Sequence, residues 1–350
     1  MQGGGLVDEA KMLQQAGRGG DNMLVHMNPE EVRRLRSLGV TKVQMGAQTF
    51  DDRVLELNRR GHSADDTRRA VALLRAAGFK VVLHWMPNLL GATPESDLQD
   101  FDQLYGTEGA NPDEFKLYPC SLLKNADLYA YWQRGEWHPY SDEELIELAV
   151  ACKAKVPRYS RINRVFREIP APNIVVGCTQ GNLRQVVQRE MRKRGLSCEC
   201  VRCREIGWDA DPGADFNYRE VPYDTRYSRE RFLSFETESG TLAGYLRLSL
   251  PNREGDGDVI SVGIPEIEGA ALVREVHVYG PALALGGEGN GQAVQHRGFG
   301  RRLLAEAERC AKDEGYNTLA IIASVGTRQY YGSRGYNLEG TYMVRQLNPE

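Results

Sequence analysis

The chain has 350 residues, with 44 Lys/Arg against 48 Asp/Glu for a formal charge of −4, 41% hydrophobic and 26% charged residues. That is an ordinary globular composition with room for two or three domains, and its small negative charge excludes a globally basic nucleic-acid binder. No apolar run approaches the ~20 residues of a membrane span, no basic-then-apolar leader opens the chain, and the seven cysteines do not form a secreted disulfide framework, so a cytoplasmic protein is expected.

Residues 1–22 are rich in Gly and Gln and read as disordered. From Asn28 helices and strands alternate. Asn28-Pro29 sets an N-cap and an N1 proline at the head of the helix PEEVRRLRSLG, which Gly39 closes, and TKVQMGAQ follows as a strand. ADDTRRAVALLRAAG has helical apolar spacing and leads into the strand FKVVLHWMP. PESDLQDFDQLYG reads as another helix, before the strand DEFKLYPC. Such units imply a parallel sheet or part of a (β/α) barrel, and three strands cannot close one, so a partial α/β barrel is expected over 23–157.

A basic linker is expected over 158–214. From Lys153 to Arg204 there are 13 Lys/Arg against 3 Asp/Glu, so the rest of the chain carries the excess of acid. Arg158, Arg161, Arg164 and Arg167 recur every third residue, interleaved with Tyr159 and Phe166. That pattern can neutralise phosphates and stack on unpaired bases; a solvated basic face is the plain alternative. Cys198, Cys200 and Cys203 lie within six residues and can converge on one Zn²⁺, with Cys178 as the nearest fourth thiol. An iron–sulfur cluster is the rival, and free thiols are the plain alternative.

The segment 215–350 reads as a separate α+β domain. RFLSFET and TLAGYLRLSLP form a hairpin around Ser239-Gly240, and ALVREVHVYG is a further strand. The loop Gln295-His296-Arg297-Gly298-Phe299-Gly300 then opens the helix RRLLAEAERCAKDEG, before the strand TLAIIAS. Two glycines at this spacing let the backbone pass close to a ligand while turn and helix N–H groups point at one place. This is an anion cradle suited to a pyrophosphate; a tight strand-to-helix turn without a ligand is the alternative.

The strand, Gly-rich turn, helix and strand, with Q/R-x-x-G-x-G/A in the turn, resemble the acetyl-CoA site of the Gcn5-related N-acetyltransferase (GNAT) family. The aromatic Arg328-Gln329-Tyr330-Tyr331 and the later Gly335-Tyr336 add to that resemblance. VQMGAQTFDDRVLELNRRGH and HWMPNLLG resemble the later strands of radical SAM barrels. Taken with the basic linker and the C-x-C-x-x-C knuckle, the order from about Asn28 to Leu347 resembles the Elp3 family, the catalytic subunits of Elongator.

The resemblance implies several roles. Acetyl-CoA would be held by Glu275, Val276, His277 and Val278, by the turn residues Gln295, Gly298, Phe299, Gly300 and Arg301, and by Tyr331, with Tyr331 favoured over Tyr330 as proton donor to the leaving thiolate. The substrate would be the wobble uridine of tRNA, with other Elongator-type subunits or a second copy as partners. S-adenosylmethionine and a [4Fe–4S] cluster are expected of the family. The family's upstream C-x₃-C-x₂-C motif has no counterpart here, where the first cysteine is Cys120, and Asn88 and Leu90 replace the usual glycine and proline. Radical chemistry is therefore expected to be lost, and the chain reads as truncated at its N-terminus. Two rivals remain. One is an ordinary N-acetyltransferase of a protein lysine or small amine, with Glu275 as general base; the other is a non-enzymatic tRNA-binding remnant.

Overall fold

The computed structural model describes residues 23–166, 169–179, 181–207, 214–279 and 298–347. The first half comprises α1 (Met23–His26), α2 (Pro29–Ser37), β1 (Lys42–Gln48), α3 (Asp52–Leu57), α4 (Ala64–Ala76), β2 (Lys80–Trp85), α5 (Pro94–Asp102), β3 (Glu114–Leu117), β4 (Leu122–Leu123), α6 (Leu128–Gln133), α7 (Asp142–Lys155) and β5 (Arg161–Arg164). The helices begin where their capping residues stand. The Asn28 side chain accepts from the Glu31 N–H, and Ser63, Thr93 and Ser141 each close a reciprocal capping box.

β1, β2, β3 and β5 form an all-parallel sheet in that order. Its fourth strand, β5, falls in the stretch expected to be linker. The every-third spacing of the arginines hides the two-residue period of a strand: on β5, Arg161 and Arg164 are three apart and so face opposite sides.

The middle of the chain supplies β6 (Ile174–Val176), paired antiparallel with β4, then α8 (Leu183–Lys193) and α9 (Val201–Arg204). α8 lays Leu183, Val187 and Met191 on the core that holds Leu145 and Leu148 of α7.

The second half comprises β7 (Asn217–Thr225), β8 (Ser228–Glu236), β9 (Leu242–Pro251), β10 (Ala271–Val278), α10 (Phe299–Asp313), β11 (Thr318–Ile321), α11 (Arg328–Gly332), β12 (Asn337–Glu339) and β13 (Tyr342–Gln346). They make a seven-stranded sheet in the order β12-β13-β11-β10-β9-β8-β7, in which β10 and β11 run parallel and the other neighbours antiparallel. The β8–β9 hairpin turns over Gly240 at φ +90°, as expected. β7 is an added strand. Its Pro222 and alternating charges disguise it, and both are tolerated because β7 is the sheet edge. α10 buries Phe299, Leu303, Leu304, Ala307, Cys310 and Ala311 along one face.

The halves share one core. A single cluster of buried side chains joins Val43, Leu74 and Phe79 to Leu272, Ala320 and Tyr342, and the Tyr342 hydroxyl donates to Ala77 O at 2.8 Å. No helix among the described residues is long and apolar enough to cross a membrane.

Candidate functional site

β10 and β11 pair as far as Val273 and Ile321, ending with Ile322 N–H to Val273 O at 3.2 Å. Beyond that, β10 runs on to Val278 paired only with β9, and the other edge of Glu275–Val278 has no strand partner among the described residues. α10 begins beside this opening. Gly298 caps it at φ +69°, a left-handed conformation that glycine adopts without strain. A Cβ on Gly300 would stand 2.9 Å from the Tyr330 hydroxyl and 3.7 Å from Val278 Cγ2. Val278, Gly300 and Tyr330, from three separate elements, therefore meet at one spot. First-turn N–H groups of a helix lack intrahelical partners and carry partial positive charge. Arg301 is exposed next to them, while Gln295 lies outside the described residues.

The two tyrosines lie in different surroundings. Tyr331 packs in the core against Tyr336, and burial pushes its phenol well above the ordinary range. Tyr330 is half-buried with its hydroxyl at the turn. A one-turn helix docked on a core must send one of two adjacent side chains inward, and the neighbouring Tyr336 makes that Tyr331.

Glu275 is committed elsewhere. It pairs with Lys80 at 2.5 Å and Arg247 at 2.9 Å and accepts from the Tyr245 hydroxyl at 2.9 Å. Burial alone would raise its carboxyl, but Lys80 and Arg247 hold it down to about 2. Such an acid is a feeble proton acceptor at neutral pH, so the general-base role expected of Glu275 is not supported. His277 stacks on Tyr245 and meets Tyr279 edge-on at 4.5 Å.

Cys198, Cys200 and Cys203 do converge, with their sulfurs all within 4.8 Å of one another. Cys200 is fully buried. Lys153, also fully buried, donates to Cys203 Sγ at 3.6 Å and Gln188 donates at 3.7 Å. Hydrogen bonds from the other two thiols and the Lys153 charge favour the Cys203 thiolate over the opposing effect of burial. Three thiolates and a divalent cation sum to −1, which the Lys153 ammonium offsets. A three-cysteine set able to hold a metal thus exists in the chain, although not as the upstream motif. Cys178 is buried in the same core but is not part of the convergent set, which corrects the expected fourth ligand.

At the carboxyl end of β1, Gln48 is buried at φ +67°, and its amide oxygen has no hydrogen-bond partner among the described residues. Asn58 ties the two barrel motifs together, accepting from Leu90 N–H at 3.2 Å and donating to Leu90 O at 3.0 Å. Asn88 sits at φ +65°, a left-handed conformation that asparagine tolerates better than most residues. Its side chain accepts from Tyr140 N–H and donates to His138 O.

The Asn88 N–H and the Tyr140 hydroxyl both donate to Asp97 at 2.7 Å, yet burial wins and raises the Asp97 carboxyl to about 7. The folded state then binds more protons than the unfolded state between pH 4 and 7, so stability falls as pH rises through that window. Urea unfolding at pH 5 and pH 7.5 should show this decline in the wild-type protein and a clearly smaller one in Asp97→Asn. Identical slopes would show that Asp97 is ionised throughout.

The basic stretch is less free than its spacing implies. Arg158 pairs with Glu199 and Glu236, and Arg161 pairs with Glu205 at 2.7 Å and donates to the Tyr279 hydroxyl at 3.1 Å. Carboxylates of the chain itself thus engage both guanidiniums. Arg164 is exposed, as are Arg189, Arg192 and Lys193 on α8; Arg167 lies outside the described residues.

The Radical SAM superfamily model matches residues 19–104, and the Radical_SAM C-terminal domain model matches 112–193. The chain is 41% identical to a tRNA uridine(34) acetyltransferase of Dehalococcoides mccartyi over 91% of its own length and 69% of that protein. It is 36% identical to the Elongator complex protein 3 of Danio rerio, of which it spans 56%. Among solved structures, Methanocaldococcus infernus Elp3 with an N-terminal deletion superposes with a TM-score of 0.82 at 35% identity, covering 92% of this chain and 76% of that one. With that identity, coverage and shared mixed α/β fold, the chain belongs to the Elp3 family.

Proposed function

We propose that the chain acts in wobble-uridine modification of tRNA and takes acetyl-CoA into the opening between β10 and β11. The names of its relatives support the tRNA substrate. The observation that carries the acetyl-CoA reading is the meeting of a free strand edge, a helix N-terminus and a tyrosine hydroxyl at Gly300. The N–H groups of Gly298–Arg301 and the Arg301 guanidinium would hold the pyrophosphate of acetyl-CoA. The open edge of Glu275–Val278 would offer backbone groups to its pantetheine amides. Tyr330 is the donor placed to protonate the leaving thiolate; Tyr331 supports it from the core. The unit from about 215 onward then serves as a GNAT-type domain.

RNA is met by the exposed basic side chains of α8 and by Arg164, a surface whose affinity falls steeply with salt. The three thiols suit Zn²⁺ as a structural ion that fixes α9 against β5; it would supply no chemistry to the transfer. The radical SAM match makes S-adenosylmethionine the family's second cofactor, and the unpartnered Gln48 amide oxygen suits a polar ligand there. No C-x₃-C-x₂-C occurs in the 350 residues, and no radical step is assigned to them.

Calorimetric titration tests this reading. Acetyl-CoA should bind the wild-type chain saturably, and Gly300→Glu, which drives bulk and negative charge into the Tyr330 hydroxyl and the phosphate turn, should weaken binding by about 100-fold or more. Equal binding by both proteins would place the cofactor elsewhere. Acetylation of a free amine without tRNA would favour the N-acetyltransferase alternative.

A further inference from the structure

A cavity of about 320 Å³ lies between the two halves of the molecule, away from every group used above. One wall is α4 with the loop after α5; the other is the β7–β8 turn with Ser249 and Pro251 of β9. Arg68, Arg69, Arg75 and Arg226 line it against Asp65 and Glu108, four cations to two anions.

The four guanidiniums are not equivalent. Arg69 pairs with Asp66 at 3.3 Å and Arg226 with Asp258 at 2.5 Å, both at exposed positions. Arg68 donates to Gln103 at 2.9 Å and lies over the Phe50 ring. Arg75 is only 5% exposed, its hydrogen bonds go to the carbonyls of Ala110 and Asn111, and its Nε is buried with no partner among the described residues. Asp113 is close enough to feel its charge but is held through both oxygens by Arg274. A buried cation whose hydrogen bonds go only to carbonyls has no carboxylate bonded to it, and an anion brought beside it gains a charge-assisted partner. Val71, Ala72, Ala76, Pro251 and Ile260 supply the apolar part of the lining, and Thr107, Thr225, Ser228 and Ser249 add neutral polar residues.

We propose that this cavity binds a small organic anion, a carboxylate or phosphate monoester on an apolar stem, with its charge taken by Arg75 and the rim guanidiniums Arg68 and Arg226. The volume suits a compact ligand, because it stands at the low end of ordinary small-molecule sites. Both halves furnish walls, so the bound anion clamps their junction, and binding registers as thermal stabilisation.

The test is thermal melting and calorimetry of the whole chain at fixed ionic strength with phenyl phosphate, hexanoate, phenol and hexanol. One or both anions should raise the melting temperature by several degrees at about 10 mM, while the neutral compounds do not. Whichever anion binds identifies carboxylate or phosphate as the natural group. Ala72→Phe, which fills the cavity, should weaken the response by about tenfold or more, and so should Arg75→Met if it folds. Gly300→Glu should leave it unchanged, which separates this site from the acetyl-CoA opening. No response to either anion, an equal response to the neutral compounds, or an undiminished response in Ala72→Phe would overturn the proposal.

Discussion

Arg274→Met is expected to destabilise the protein by about 3–5 kcal/mol, among the largest effects of any single substitution outside a metal site. Arg274 is fully buried on β10. It grips both oxygens of Asp113 at 2.7 and 2.8 Å, reaches Glu230 at 3.0 Å and donates to Phe79 O. Methionine fills a similar volume without charge, so the loss is electrostatic: two buried carboxylates lose their principal cation. Arg247, 3.6 Å from Asp113, compensates only in part.

Burial alone would raise the Asp113 carboxyl, but Arg274 and Arg247 hold it far below the usual carboxylate range. Glu275 is likewise depressed to about 2. The contribution of these carboxylates is thus complete above pH 4.5 and lost as pH falls towards 2. Urea unfolding at pH 7 should place the variant's midpoint well below wild type, and adding Asp113→Asn should cost less than the sum of the two single changes. Strict additivity would mean that the groups act independently despite their contact.

Cys200→Ser should remove the bound metal altogether. Structural zinc sites contribute up to about 10–16 kcal/mol of apparent binding energy in isolated fingers, and a site with three local thiolates is expected to supply a smaller but still decisive share. Elemental analysis of wild-type protein should give about one zinc per chain, falling to background in the variant, and chelation should lower wild-type melting to the variant's value. The removal would also take away two of the three thiolate ligands whose charge, with the metal, balances the buried Lys153, so the α7–α8–α9 packing should loosen. Iron with visible absorbance in place of zinc would assign the thiols to a cluster. Metal-free protein that melts like wild type would make them ordinary cysteines.

The sequence spoke clearly where the physics is local. Asn28, Ser63 and Thr93 announced their helices, because a cap needs only three or four neighbouring residues. The Gly298–Gly300 turn was legible for the same reason. β7 was not, since edge position is a property of the sheet and cannot be seen in a run containing Pro222. The choice between Tyr330 and Tyr331 depended on where Tyr336 packs. The arginine spacing did not reveal strand β5, because a period of three fits neither face of a strand, nor the ion pairs, because the carboxylates that engage Arg158 and Arg161 arrive from Glu199, Glu205 and Glu236. The role of Glu275 could not be read at all without knowing that Lys80, 195 residues earlier, stands beside it.

The shared core has a consequence for synthesis. Asp113 waits 161 residues for Arg274, Ala77 waits 265 for the Tyr342 hydroxyl, and Arg36 waits 305 for Thr341. At about 5–20 residues per second, the complete first sheet emerges roughly ten to forty seconds before the last strand that covers it. During that interval its charged and apolar inner face has no native partner, and closing such long loops is slow even after release. Release short of β13 would leave the first half without the side chains that complete its interior, Arg274, Thr341 and Tyr342 among them.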